Sequence, residues 1–301
     1  MTATRAAAEE RAAVLIEALP YIQRFRGRTI VVKFGGNAMV DPGLARSFAE
    51  DVVLMRSVGL RPVVVHGGGP QISELMGRLG KVPEFRDGHR VTDAETVDIA
   101  RMVLVGKVNR EIVSAINAHG PLAVGVSGED AGLILAEARH PDLGFVGDVH
   151  TVNPAILERL IAEDLIPVVS TIGADASGQA YNINADAVAG ALAEALGAEK
   201  VIYLTDIEGL LRDTADPDSL ISRVDAAGLA ALVDAGTISG GMIPKVAACL
   251  QAVARGVGSA HLLDGRLPHV LLLELFSDAG IGTMITESPP SLASAWESGD
   301  A

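Results

Sequence analysis

The chain has 301 residues, 49% of them hydrophobic, and a formal net charge of −14 at neutral pH. That length can bury a large core, and it suits two lobes or one large α/β domain. The acidic field disfavours nucleic acid and anionic membrane surfaces, so an anionic ligand must be met by locally placed lysines and backbone N–H groups. Cys249 is the single cysteine, which excludes an intrachain disulfide and a cysteine-built zinc site and suits a reducing compartment. Glu9, Glu10, Arg11 and Glu17 interrupt the N-terminal apolar run, unlike a signal peptide. The apolar run Val270 to Leu273 is far too short to span a bilayer and meets Glu274. A cytoplasmic protein is expected.

In chain order, residues 5–19 read as an alanine-rich helix that Pro20 should kink or restart. It precedes the first strand and has no obvious sheet partner, so it packs either on its own domain or on another subunit. Ile30 to Phe34 is a buried strand running into Gly35-Gly36, with Lys33 inside the apolar run. A buried ammonium is costly unless an anion meets it. Lys33 either snorkels from the strand end or meets a phosphate that the two glycines let approach. A helix over 43–58 and a strand over 61–65 follow, ending in His66-Gly67-Gly68-Gly69-Pro70. Three glycines and a proline opening a helix aim free N–H groups and the positive end of the helix dipole at one place. No GxxxxGK[ST] string occurs, so this is not a P-loop.

Gly88 to Asp93 reads as a turn, a short strand and an N-cap; the helix over 94–117 is expected to break near Gly106. A strand at 121–126 comes next, then a hairpin pairing 133–138 with 145–152, a helix from Asn153-Pro154 to Glu163, and a buried strand Ile166 to Ser170. After Tyr181 to Asp186 comes an alanine-rich helix, then a strand Lys200 to Thr205 ending at Asp206. A helix covers 225–235, and Gly240-Gly241 opens another that carries Lys245. Strand 258–263, helix 268–276 and strand 282–285 complete the order, with a disordered tail expected over 289–301. Strand–helix alternation of this kind argues for a mostly parallel sheet with helices on both faces, whose ligands sit beyond the strands' carboxyl ends. Those ends carry Gly35-Gly36, His66 to Gly69, Ser170 to Gly173 and Thr205-Asp206.

Two lysines, Lys33 and Lys245, thus stand at glycine-rich elements, an arrangement suited to phosphoryl transfer, which asks mainly for positioning and cations. Asp186 could hold both. No carboxylate cluster suggests a protein-bound metal, and the seven histidines show no HExxH spacing. Val-Val-Lys-Phe-Gly-Gly (31–36), Val-Val-His-Gly-Gly-Gly-Pro-Gln-Ile (64–72), Gly-His-Arg-Val-Thr-Asp (88–93), Tyr-Asn-Ile-Asn-Ala-Asp (181–186), Leu-Thr-Asp-Ile-Glu-Gly (204–209) and Gly-Gly-Met-Ile-Pro-Lys-Val (240–246) occur in this order. In these strings the chain resembles the amino acid kinase family and, within it, the acetylglutamate kinases. Arg90 and the Asn-x-Asn-Ala-Asp run point to that branch.

The resemblance implies a three-layer αβα sandwich of the carbamate-kinase-like kind. It implies transfer of the ATP γ-phosphate to the side-chain carboxylate of N-acetyl-L-glutamate in arginine biosynthesis. Carried over by residue, Lys33 and Lys245 stabilise the transition state and Asp186 orients them. The amides of Gly68 and Gly69, with Arg90 and Asn182, receive acetylglutamate; Gly35, Gly36, Thr205 and Asp206 lie at the nucleotide. Mg²⁺ would arrive chelated by ATP. Residues 27–178 would form the acetylglutamate and dimerisation lobe, and 179–288 the ATP and effector lobe.

A second likeness, to arginine-inhibited hexameric members, lies in the N-terminal helix (1–26) and in His261, Glu274 and Gly280-Ile281-Gly282-Thr283. It implies a homo-hexamer built as a trimer of dimers, with L-arginine held by Glu274, His261 and Gly280 and, more weakly, Lys200. His261 as a packed strand-end residue and Glu274 as a solvated helix residue are the plain alternatives. Rival activities are kinases of carbamate, glutamate, aspartate, uridylate or an aminoadipate-type substrate, and a non-catalytic binding protein on the same scaffold. The last has no reason to keep Lys33, Lys245 and Asp186 together.

Overall fold

The computed structural model describes residues 2–86, 88–213, 215–238, 242–277 and 280–287. Its elements are α1 (Thr2–Phe25), β1 (Thr29–Phe34), α2 (Pro42–Ser57), β2 (Arg61–His66), α3 (Gly69–Arg78), β3 (Phe85–Arg86), β4 (His89–Arg90), α4 (Ala94–Arg101), α5 (Asn109–Asn117), β5 (Ala123–Ser127), β6 (Ile134–Ala138) and β7 (Val146–Val152). There follow α6 (Ala155–Ala162), β8 (Ile166–Ser170), β9 (Ile172–Ala174), β10 (Ala180–Ile183), α7 (Ala185–Ala195), β11 (Lys200–Thr205), β12 (Arg223–Asp225), α8 (Ala226–Asp234), α9 (Met242–Ala254), β13 (Ser259–Asp264), α10 (Val270–Leu275) and β14 (Thr283–Thr286). Capping chemistry sets several starts. Asp41 accepts from the amides of Gly43 and Leu44 to open α2, and Asp93 accepts from Thr96 to open α4. Asn184 accepts from Asp186 and Ala187 to open α7.

An eight-stranded sheet in the order β12-β14-β13-β11-β1-β2-β8-β5 forms the middle layer. The run from β13 to β5 is parallel; β14 is antiparallel to β13, and β12 runs with β14. Side chains alternate across each strand, and the two resulting faces have separate cores. Ile30, Val32 and Phe34 of β1 and Val64 of β2 pack with residues of α2, α4, α5 and α10. Val31, Val63, Val65 and Tyr203 pack with residues of α7, α8 and α9. This is the expected αβα sandwich. By parity Lys33 shares the face of Val31, toward α7 and α9, whereas His66 shares the face of Val64, toward α5.

The hairpin expected over 133–152 forms as β6 against β7, but it belongs to a closed four-stranded unit with β9 and β10. Strands of three or four residues with distant partners carry too little periodicity to be read from the sequence. The helix does not break at Gly106: α4 and α5 are joined by a π-helical turn over Met102–Val108. That turn lays Leu104 and Val108 against Gly68, where an added Cβ would meet their methyls at 2.7 and 3.2 Å. Pro20 sits inside α1 without ending it, since one missing donor costs a helix less than a whole turn. The Gly240-Gly241 pair and the tail from 288 onward lie outside the described residues.

Candidate active site

Strand parity brings Lys33 to the face where α7 and α9 begin, and there the centre of the site forms. Asp186, the second residue of α7, lies 3.0 Å by Oδ1 from Lys33 Nζ and 3.0 Å by Oδ2 from Lys245 Nζ. Lys245 comes from the first turn of α9. Burial pushes the Asp186 carboxyl up, but the charges of Lys33 and Lys245 outweigh it and hold the group below the ordinary carboxylate range. Two ammonium groups on one carboxylate leave a net charge of about +1 at the carboxyl end of β1. Such a centre can receive an anion.

The glycines make room for it. A Cβ on Gly35 would meet Lys33 Nζ at 2.8 Å, so only glycine lets the ammonium lie along the backbone there. Gly36 has φ +68°, and a Cβ there would meet the Asp206 carboxylate oxygens at 2.7 and 2.8 Å. Gly68 precedes α3, whose first turn contains a proline and has no side-chain cap. Its amides and dipole therefore point outward from the end of β2, and nothing within 4 Å would obstruct a Cβ on Gly69.

Arg90 stands on β4, buried, and its guanidinium is strapped to α3: Nη2 donates to Gly69 O at 3.0 Å and to Ser73 Oγ at 2.8 Å. Its other flank lies over the Phe85 ring at 4.7 Å. Among the described residues no carboxylate pairs with it, and burial lowers its pKa. Asn182 is half-buried on β10, where its backbone N–H donates to Phe145 O at 2.9 Å. Thr205 spends its hydroxyl on the backbone, donating to Ile207 O at 2.9 Å and accepting from Ile207 N, which shapes the turn presenting Asp206. Beyond Asp206 opens a cleft of about 440 Å³ between Leu210, Leu211, Ile238 and Met242, with Arg266 at its rim. The sequence reading missed this cleft. Its one signal was the apolar Leu210-Leu211 pair directly after Gly209.

The residues of the second likeness also meet, elsewhere. Lys200 Nζ donates to His261 Nε2 at 2.9 Å, and His261 Nδ1 donates to Glu274 Oε1 at 2.7 Å. Glu274 Oε2 accepts from Ile281 N at 3.0 Å, and the turn at Gly280, φ +40°, passes close to the same oxygen. Phe25 of α1 underlies Lys200, its ring 5.3 Å from Nζ. Burial lowers Lys200 to about 8 and His261 to about 4. Burial pushes Glu274 up, but the His261 hydrogen bond, with the Ile281 N–H and the Lys200 charge, brings it below its ordinary value. Among the described residues no helix is long and apolar enough to cross a membrane, and no group of three or more His, Cys, Asp or Glu side chains is placed to hold a metal ion.

Comparison with known proteins identifies the family. Residues 28–264 match the amino acid kinase family. The chain is 55% identical over 285 residues to the acetylglutamate kinase of a Nostoc species, covering 94% of this chain and 96% of that one. The N-acetylglutamate synthase of Neisseria gonorrhoeae, complexed with coenzyme A and N-acetyl-glutamate, superposes with a TM-score of 0.81 at 26% identity; 92% of this chain is covered, and it spans 64% of that one. The same synthase with coenzyme A and L-arginine gives 0.77 at 25% identity, over 92% of this chain and 65% of that one. The chain belongs to the amino acid kinase family, in its acetylglutamate kinase branch.

Proposed function

We infer that this chain is an ATP-dependent kinase that phosphorylates the side-chain carboxylate of N-acetyl-L-glutamate, giving N-acetyl-L-glutamyl 5-phosphate and ADP in arginine biosynthesis. The single observation that carries the chemistry is Asp186 bridging Lys33 and Lys245, each at 3.0 Å, at the carboxyl end of the sheet. A carboxylate oxygen attacks the γ-phosphorus and the bond to the ADP oxygen breaks. No proton moves, so no general base is needed. Lys33 and Lys245 flank the phosphoryl group in flight, and Asp186 keeps their ammonium groups fixed so that no reorganisation is required at the transition state.

In this reading the amides of Gly68 and Gly69 receive the reacting carboxylate, while Arg90 and Asn182 hold the α-carboxylate and acetamido end. Arg90 suits that task, being a planar fork already oriented by α3 and, among the described residues, paired with no carboxylate. The adenine end of ATP occupies the cleft past Asp206, and Gly35, Gly36 and Thr205 belong to the same nucleotide site. Both oxygens of Asp186 already face ammonium groups, so Mg²⁺ would be held by the nucleotide phosphates, where it would supply charge shielding. Residues 27–178 form the acceptor lobe and 179–288 the nucleotide lobe, in a cytoplasmic enzyme.

We assign the Lys200–His261–Glu274 cluster, with Gly280, as a feedback site for L-arginine. Its support is the buried carboxylate of Glu274 beside a turn whose backbone a guanidinium could reach, and the arginine complex of the gonococcal synthase. Val14, Leu15, Ile16 and Leu19 are exposed on α1, which supports a homo-hexamer, a trimer of dimers joined through these helices. The test is acyl-phosphate formation from ATP with N-acetylglutamate, glutamate, aspartate, carbamate and N-acetyl-aminoadipate, each with and without arginine. Turnover with N-acetylglutamate above the others is expected, and its absence overturns the reading. Deleting residues 1–26 should leave a dimer with weakened arginine response; an unchanged hexamer would remove the role given to α1.

A further inference from the structure

The triple-glycine turn of the acceptor site rests on a buried polar chain that the phosphoryl-transfer chemistry does not use. His66 ends β2, is 0% exposed and points to the α5 face. Its Nδ1 lies 2.9 Å from Gly67 O and its Nε2 lies 3.1 Å from Asn109 Nδ2. Asn109 Nδ2 also donates to Val168 O at 2.8 Å, and the Arg110 guanidinium donates to Asn109 Oδ1. A Cβ on Gly125 of β5 would overlap both Arg110 and the Asn109 carboxamide, so this glycine keeps the channel for them.

The direction of every bond in the chain is forced. Arg110 can only donate, so Asn109 must turn its oxygen toward it and its NH₂ toward Val168 O, which can only accept. The same NH₂ then donates to His66 Nε2, which must carry a lone pair. The proton is therefore on Nδ1, where Gly67 O accepts it. Burial favours the neutral ring and lowers His66 to about 4.

We propose that His66, locked in its Nδ1–H tautomer by Asn109 and Arg110, is a positioning residue that aims the Gly68 amide at the phosphoryl-acceptor site. In a trans peptide the carbonyl and the next N–H point in opposite directions. Holding Gly67 O on His66, inside the α5 layer, thus turns the Gly68 N–H outward, away from that layer. The backbone on either side of this peptide is held as well. Gly67 N donates to Phe34 O at 3.3 Å, and Leu104 and Val108 close on Gly68. An amide held in this way costs no reorganisation while it holds the attacking carboxylate against the phosphoryl group, whose equatorial oxygens carry the charge of the transition state.

The proposal rests on the acceptor role given above to Gly68, and its test separates the two. Long-range ¹H–¹⁵N correlation spectra of the ¹⁵N-histidine-labelled wild-type protein should show His66 protonated on Nδ1 and bare on Nε2. The opposite tautomer overturns the proposal whatever the enzyme's substrate. Kinetics then compare His66→Asn, whose amide NH₂ can stand near the Nδ1 position, with His66→Gln, whose amide stands near Nε2. Removing one preoriented donor costs about 10²–10³-fold in kcat. His66→Gln should lose activity on that scale with KM for ATP unchanged, and His66→Asn should stay within about tenfold of wild type. Equal losses in the two variants, tracking equal losses in melting temperature, would mean that His66 only fills space. A wild-type enzyme inactive on N-acetylglutamate would instead overturn the acceptor assignment, leaving the tautomer measurement to decide the role of His66.

Discussion

Among the described residues, lysine and carboxylate share a buried cluster in two places, and the contrast bears on the reacting and sensing roles proposed for them. Lys33, Asp186 and Lys245 lie on the α7/α9 face at the carboxyl end of β1 and β11; Lys200, His261 and Glu274 lie on the α2/α10 face at the opposite end. Lys200 opens β11 and Thr205 closes it, a span of about 16 Å at the usual rise per residue. In the first cluster one carboxylate serves two ammonium groups, with side-chain exposures of 11% for Lys33, 12% for Asp186 and 25% for Lys245. It keeps surplus positive charge near solvent, where a phosphate can reach it. In the second, a neutral imidazole passes hydrogen bonds from one ammonium to one carboxylate, and exposure falls to 1% for His261 and 7% for Glu274. Charge is balanced and water is shut out. On the proposed roles, equal residue types serve opposite ends: surplus charge would draw an anion, whereas a balanced buried pair would hold a carboxylate in wait for a competing cation.

The strongest way to break this contrast is to remove a lysine from the reacting centre. Lys33→Ala should lower kcat about 10²–10³-fold with little change in either KM, because the contact strengthens as charge moves onto the transferring group. Steady-state kinetics in both substrates test this, and a pure rise in KM would make Lys33 a ground-state binder. Acid should strike the other cluster first. A neutral buried histidine with folded pKa near 4 binds fewer protons than the unfolded chain, whose histidines titrate near 6.5. Its contribution is complete above 6.5 and is lost as pH falls toward 4, on the order of 3 kcal/mol for His261. His66, also held neutral by burial, contributes in the same direction. Urea unfolding at pH 7 and pH 4.5 should show the loss in wild type and a smaller loss in His261→Asn; parallel curves would mean that His261 is not held neutral.

Smaller effects sharpen the comparison further. Glu274→Gln keeps the shape but removes the charge, and should raise the arginine concentration for half-inhibition by about tenfold or more, as a charge-assisted guanidinium pair becomes an ordinary one. An unmoved inhibition curve would detach Glu274 from arginine. Lys200→Met should leave stability at pH 7 within about 1 kcal/mol of wild type, since the desolvation cost of a buried ammonium offsets much of its pairing. A loss of several kcal/mol would show that the ammonium is the keystone of the cluster.

Elements with strong local signals were legible. The strands Thr29–Phe34, Ile166–Ser170 and Lys200–Thr205 stand where their apolar runs put them, because burial on both faces of a parallel sheet leaves a continuous hydrophobic run. The small strands β9 and β10 were not legible, nor was the π-helical turn at Met102–Val108, whose sequence reads as ordinary helix. Each is decided by distant partners. Likewise His66 looked like part of a glycine turn, and nothing local links it to Asn109, 43 positions away.

The sequence by itself determined the order of the main-sheet strands from β1 to β11 and the helices between them, the layering that follows from it, and which residues stand at those strands' carboxyl ends. Those are consequences of period, capping and glycine placement, which act over a few residues. Only the tertiary structure decided that Asp186 reaches Lys33 and Lys245 at once, that Lys200, His261 and Glu274 close into a second cluster on the other face, and that Asn109 meets His66. Such meetings depend on strand register and helix packing, in which residues far apart in the chain come within 3 Å. Register is set by the whole core, and local sequence carries no term for it.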